Sequence, residues 1–294
     1  MTGAWLLANN SKQISDCTGG RIGDAVRYCQ SEQLLIIIYM AISNPYHRMW
    51  RPLKGYDPLS GAWYDNTPTP TLDYLADNSF ATQLEMQSLL TTAHLIIRDR
   101  YEIFNYVEPN DTNLSTFSHR IYELLLRTAT EFESNCKGVL VANGYVAVGN
   151  LNITDYFKLA SVQRLSEYKV TFERWAQPHE FQPFATWNTA IYAPLPWYQG
   201  YNNVKHNRFT HFNEANLNNL MNAVSGLLCI LHAQLGENMQ SVCFQGISMT
   251  QESEDKVITG SFTIIAPTFP DAEQYEFIWD SLKSTAVPVQ SYTF

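Results

Sequence analysis

The apolar positions of this chain change period several times, and each change marks an element. Leu34 to Ile42, LLIIIYMAI, is one continuous apolar run bounded by Gln33 and by Ser43-Asn44-Pro45. It is far shorter than the roughly 20 residues that span a bilayer, and it is rich in isoleucine, so it predicts a buried strand. Prolines at 45, 52, 58, 68 and 70 then forbid a long helix over residues 43–80. Trp50, Trp63 and Tyr64 make that stretch a packed irregular segment or an inserted arm.

From about Gln83 the period becomes helical. Met86, Leu90, Ala93, Ile97, Tyr101, Phe104 and Val107 stand three or four apart and draw one stripe that Pro109-Asn110 ends. After Asn113-Leu114-Ser115, a second stripe runs through Phe117, Ile121, Leu124, Thr128, Phe132 and Cys136, and Asn143-Gly144 stops it. Thr154 predicts the cap of a short helix reaching about Leu165. Tyr168, Val170 and Phe172 alternate with polar residues as a short strand does. Prolines make 176–196 a loop, and Pro196 suits the first turn of a helix carrying WYQGYNNVKHNRF. Asn213 predicts the cap of the next helix, whose Leu217, Met221, Val224, Leu228, Leu231 and Leu235 share a face. Val242, Phe244 and Ile247, the polar turn TQESED and the run VITGSFTII predict a β-hairpin.

These readings give an α+β, predominantly helical fold: an up-and-down helical bundle with an N-terminal strand and a C-terminal hairpin. They divide the chain into residues 1–82 (strand and Pro/Trp/Tyr-rich arm), 83–236 (bundle) and 237–294 (extension packed on the same core). The helix after Asn213 carries Glu214 as its one charge before Gly236, so it is buried within the bundle or against a second copy of the chain.

Composition narrows the function classes. The chain has 294 residues, 45% hydrophobic, 13% aromatic and 16% charged. That excludes a disordered chain, and the absence of internal repeats excludes fibres and solenoids. The net charge is −9, which disfavours a broad nucleic-acid groove. Residues 237–294 hold eight acids against Lys256 and Lys283, so six of the nine net negative charges lie there. Five cysteines, with no C-x-x-C pair, suggest neither a zinc site nor a disulfide framework. The opening MTGAWLLANNSK lacks a basic leader. The expectation is a cytoplasmic protein that needs no metal and no cofactor and contacts no membrane.

One segment gathers candidate chemistry. Residues 201–212 contain Lys205, His206, Arg208 and His211 with no acid among them. On a continuous helix Asn202 sits one turn from His206, and Lys205 lies near Arg208. Such a set suits an anionic ligand: the cations neutralise phosphate oxygens, Asn orients, and His moves a proton near neutral pH. The same stretch also reads as a solvated helix face, with His211 packed beside Phe209 and Phe212. Other motifs are weaker. Arg174-Trp-Ala-Gln-Pro-His179 sets a cation and an imidazole five positions apart, but Pro178 breaks the helix that would bring them together. Asp16 to Gly23 lacks the Gly-Lys-Ser/Thr of a phosphate loop. His47, Arg48, Arg51 and Lys54, interleaved with Tyr46 and Trp50, suit single-stranded nucleic acid or, more simply, a packed loop.

The segment YNNVKHNR before a long apolar helix, together with FSHRIYELLLRTATEFESNCKGVL, resembles bacterial HEPN-like proteins over roughly residues 83–236. The resemblance implies a small helical bundle, commonly dimeric, and a motif of Arg, often Asn, then His after four to six intervening residues. It implies a metal-independent endoribonuclease leaving cyclic phosphate ends, of a toxin–antitoxin or phage-defence kind, with an antitoxin-type protein partner. Carried over, His206 and Asn202 stand at the catalytic positions. Lys205, Arg208, Tyr201 and His211 stand around the phosphate, and Arg127, Glu131 and Asn135 support them from the preceding helix. Tyr201 occupies the motif's Arg position, and a neutral phenol lacks the cationic fork that stabilises a pentavalent phosphate. The alternative is therefore a non-catalytic module that binds RNA, a nucleotide or a partner.

Overall fold

The computed structural model describes residues 41–54, 56–57, 62–63, 83–236, 239, 256–259 and 262–294. The strand expected at 34–42 lies outside them except for its last two residues, as do most of 55–82 and the alternating residues 242–247.

Among the described residues, eight α-helical segments and five strands follow in order. They are β1 (Tyr56–Asp57), β2 (Ala62–Trp63), α1 (Gln83–Ile103), α2 (His119–Ala142), α3 (Ile153–Tyr156), α4 (Leu159–Val162), β3 (Lys169–Phe172), α5 (Pro196–His206), α6 (Arg208–His211), α7 (Leu217–Leu235), β4 (Lys256–Thr259), β5 (Phe262–Ile265) and α8 (Trp279–Leu282). The four long helices alternate in direction. Asp99 and Glu102 of α1 meet Arg127 and Arg120 of α2, so the order reverses between the two. Tyr198 of α5 meets Glu133 while Arg208, just beyond α5, lies over Tyr122, so α5 also runs against α2. Asn216 bridges Phe117 at one end of α7, and Gln234 bonds Asn135 at the other, so α7 runs parallel to α2.

Local chemistry explains where the helices begin and end. The Ser118 hydroxyl accepts from the Ile121 amide at the start of α2, and Asn143 and Gly144 (φ 75°) end it. Pro196 opens α5. Two caps differ from expectation. Asn152, not Thr154, caps α3, in a reciprocal capping box with Asp155. Asn216, not Asn213, caps α7, because residues 212–214 form a 3₁₀ turn instead. The hairpin also differs: VITGSFTII is two strands, β4 and β5, paired through Thr259 and Phe262. β5 in turn pairs antiparallel with β3, giving the order β3-β5-β4.

α2 buries Ile121, Leu124, Leu125, Ala129, Phe132, Cys136, Val139 and Leu140, most of its expected stripe, while Phe117 stays about half exposed. α7 is buried on every side from Ala223 to Leu235, by α1, α2, α5 and β3, and only Asn218, Asn219 and Asn222 of its first turns reach solvent. Its scarcity of charge is therefore accounted for within one chain. The segment 41–54 is pinned between the helices and the C-terminal residues. The Trp50 amide donates to Ala233, the Tyr275 hydroxyl donates to Met49, and Ile42 and Leu53 both bridge Tyr275. Arg48 and Arg51 are buried there, so the basic stretch at 47–54 packs and does not present a nucleic-acid surface. Arg48 reaches Gln234 and Glu85 over Gly138, where a Cβ would lie 2.1 Å from its guanidinium. Trp50 packs over Gly236, whose φ of 56° suits glycine.

Candidate functional site

α5 does not continue through residue 209. It stops at His206, Asn207 takes φ −145° and ψ 75°, and the Asn207 side chain caps the short α6. The continuous helix that would set Lys205 beside Arg208 is therefore broken. Asn202 and His206 remain on α5 one turn apart.

The six residues of the segment divide by solvent. Tyr201 is 1% exposed, packed against Tyr198 with ring centroids 5.4 Å apart, so it does not line a phosphate site. Its hydroxyl accepts from the Lys205 ammonium at 2.8 Å, and that bond raises the Lys205 pKa above the usual lysine range. Lys205, His206 and Arg208 are exposed and Asn202 is half-buried. Arg208 lies 5.6 Å over the Tyr122 ring and has no carboxylate partner among the described residues. His211 shares a 2.6 Å hydrogen bond with Glu214, which also accepts from Asn203 at 2.8 Å. Nothing among the described residues hydrogen-bonds His206. A catalytic imidazole ordinarily has one nitrogen held by a second group, which sets its tautomer and direction.

The expected support from α2 points elsewhere. Arg127 pairs with Asp99 of α1. Burial pushes the Asp99 carboxyl up, but hydrogen bonds and charge from Arg127 and Arg98 outweigh it and leave it below the usual range. Glu131 is raised by burial, opposed by Arg127. Asn135 is buried, donating to the Glu131 carbonyl and accepting from Gln234. Arg127, Glu131 and Asn135 lie on nearly the opposite side of α2 from Glu133 and Tyr122, which meet α5 and Arg208. Arg127 joins α1 and Asn135 joins α7, and none of the three meets the 201–211 segment.

Sequence reasoning missed the groups that do meet it. Glu133 accepts from the Tyr198 hydroxyl at 2.7 Å, and burial followed by that bond pushes the Tyr198 hydroxyl up. His119 and Phe117, at the start of α2, flank Phe212 with centroids 4.7 and 5.6 Å away. Only the parallel docking of α7 beside α2 brings these segments together, through Leu217 to Thr116 and Asn218 to Leu114 backbone bonds. Neighbouring aromatic positions 117, 119 and 122 beside 209 and 212 are the one sequence signal for it.

Two other places on the molecule offer less of the same chemistry. His179 of the Arg174 motif bonds Asp111, while Arg174 lies over Tyr101, so the pair diverges. A cleft of about 180 Å³ at the opposite end of α5, over Trp197, is lined by Gln182, Thr186, Asn218, Asn219 and Asn222 and by no charged side chain. Among the described residues, no group of three His, Cys, Asp or Glu is placed to hold a metal, and no helix is long and apolar enough to cross a membrane. Comparison of the chain with family models, with curated proteins and with solved structures finds no match in any of the three.

Proposed function

We propose that this chain is a HEPN-like module that binds RNA through the junction of α5 and α6 without cleaving it. The observation that carries the reading is the division of the motif. Lys205 and Arg208 face solvent, while Tyr201 at the Arg position is buried and no described residue hydrogen-bonds His206. Exposed cations supply phosphate attraction, which needs no fixed tautomer. General acid–base cleavage needs a positioned imidazole and a cation at the phosphate together.

Labelled single-stranded RNA titrated with the purified chain in EDTA tests this. Binding should fall with salt, and the RNA should stay intact on a denaturing gel. Arg208→Ala should lower the log–log salt slope by about one, as loss of one phosphate contact does. His206→Ala should bind as the parent does. The spacing of Asn202 and His206, one turn apart and both reachable from solvent, supports a second reading, the metal-independent endoribonuclease. Cleavage to cyclic phosphate ends that His206→Ala abolishes would establish that reading and overturn the first.

A further inference from the structure

Four aromatic rings and a guanidinium collect on one face, where the start of α2 meets α6 and the turn after it. Phe212 is at the centre. The His119 ring lies 4.7 Å away at 40°, Phe117 5.6 Å away at 84°, and Tyr122 6.1 Å away at 65°. Arg208 covers Tyr122. Phe209, the next residue, is 97% exposed and meets no ring among the described residues. Phe117 is 48% exposed and His119 is exposed. A single exposed apolar side chain is ordinary, but a cluster of open rings bordered by cations is not.

The platform is rigid. Backbone bonds from Leu217 to Thr116 and from Asn218 to Leu114, with the Phe117–Asn216 bridge, tie the two segments that carry the rings. The acids of this face are already engaged: Glu123 with Arg120, and Glu214 with His211 and Asn203. Arg208 has no carboxylate partner among the described residues, and Lys205, held by the Tyr201 hydroxyl, is exposed close to it in sequence.

We propose that this face holds single-stranded RNA by stacking unpaired bases on Phe209 and on the His119–Phe212 pair, while Arg208 and Lys205 take the adjoining phosphates. The inference rests on the RNA-binding reading above and adds the form of the RNA and the residues that select it. The chemistry excludes a duplex as the preferred ligand, because paired bases hide their faces within the stack and leave the rings nothing to cover. It also separates two terms that mutation can resolve: ring stacking carries little salt dependence, and phosphate contact carries most of it.

The test measures fluorescence anisotropy of a labelled twelve-nucleotide RNA and of the same strand in a duplex, with the full chain. The single strand should bind more tightly than the duplex. Phe209→Ala and Phe209→Leu should each weaken it on the order of 10-fold, the loss of one base stack, with an unchanged salt slope. Phe209→Trp should keep the affinity, since it retains a ring face. Phe209 is exposed, so these variants keep the fold, and thermal melting checks that. Equal binding of duplex and single strand, or parental binding by Phe209→Leu, overturns the stacking platform and leaves the RNA-binding reading standing. Absence of binding to either RNA overturns both. If sedimentation then shows self-association that Phe209→Ala removes, the face is a protein contact.

Discussion

Of the arginines that lie over aromatic rings, Arg100 and Arg208 differ widely in their access to solvent. Arg100 is wholly buried, with its guanidinium carbon 4.6, 5.4 and 4.4 Å from the Tyr101, Phe104 and Phe172 rings. None of its three guanidinium nitrogens has a hydrogen-bond partner among the described residues, and burial pushes its pKa down to about 10. Arg208 is exposed over Tyr122. The buried cation is surrounded by ring faces and the Tyr101 phenol, which offset part of its lost hydration. The exposed cation keeps its hydration, and the rings beside it stay open. The same residue types thus build a closed packing unit between α1 and β3, and an open surface between α2 and α6. Access, not composition, makes one of them a candidate site.

Changes in the interior should move stability most. Arg100→Ala should destabilise by about 2–4 kcal/mol in chemical denaturation, because it leaves a cavity among three rings. Arg100→Met refills that volume without a charge, and should cost less than about 1 kcal/mol or stabilise. If Met is as damaging as Ala, the charge itself is required and the comparison fails.

The second effect depends on pH. His232 on α7 is buried, shares a 3.0 Å hydrogen bond with the Tyr168 hydroxyl, and burial lowers its pKa to about 4 from 6.5. Its neutral form is the folded one. The unfolded chain therefore takes up a proton first as pH falls, and the stability present above pH 6.5 drains away between 6.5 and about 4. The loss amounts to as much as about 3 kcal/mol. Urea midpoints against pH should show it, and His232→Gln should flatten the curve in that window.

A smaller loss is expected at the close approach of Arg48 to α2. Gly138→Ala sets a Cβ against a guanidinium that Gln234 and Glu85 hold in place. Overpacking of this kind costs about 1–3 kcal/mol, readable as a shifted denaturant midpoint with an unchanged slope. The smallest effect is at the surface. Arg208→Ala should leave stability within about 0.5 kcal/mol, since it removes no buried contact. A large loss there would mean that the α6 turn is part of the core's support, and would bring the two arginines closer in role than their exposure suggests.

The hydrophobic periods located α1, α2 and α7 because each buries a stripe whose spacing the helix itself imposes. Caps were less legible. Thr154 and Asn152, like Asn213 and Asn216, are equally able to accept an amide bond, and only the path of the chain chose between them. The candidate site was legible in its residue types and not in its geometry. Lys205, His206 and Arg208 are exposed as a basic segment should be, but Tyr201 turned inward toward Tyr198. Nothing local distinguishes a buried phenol from a ligand-facing one at that position.

By itself, then, the sequence determined the predominantly helical character of the chain, the basic island at 201–211 and the acidity of its C-terminal part. Each of these follows from side-chain identity and local spacing. The tertiary structure decided that Arg127, Glu131 and Asn135 face away from that island, and that Phe117, His119 and Phe212 meet beside it. The physical reason is that rotation about a helix axis and docking between helices depend on how all the buried faces fit together. No short motif carries that information.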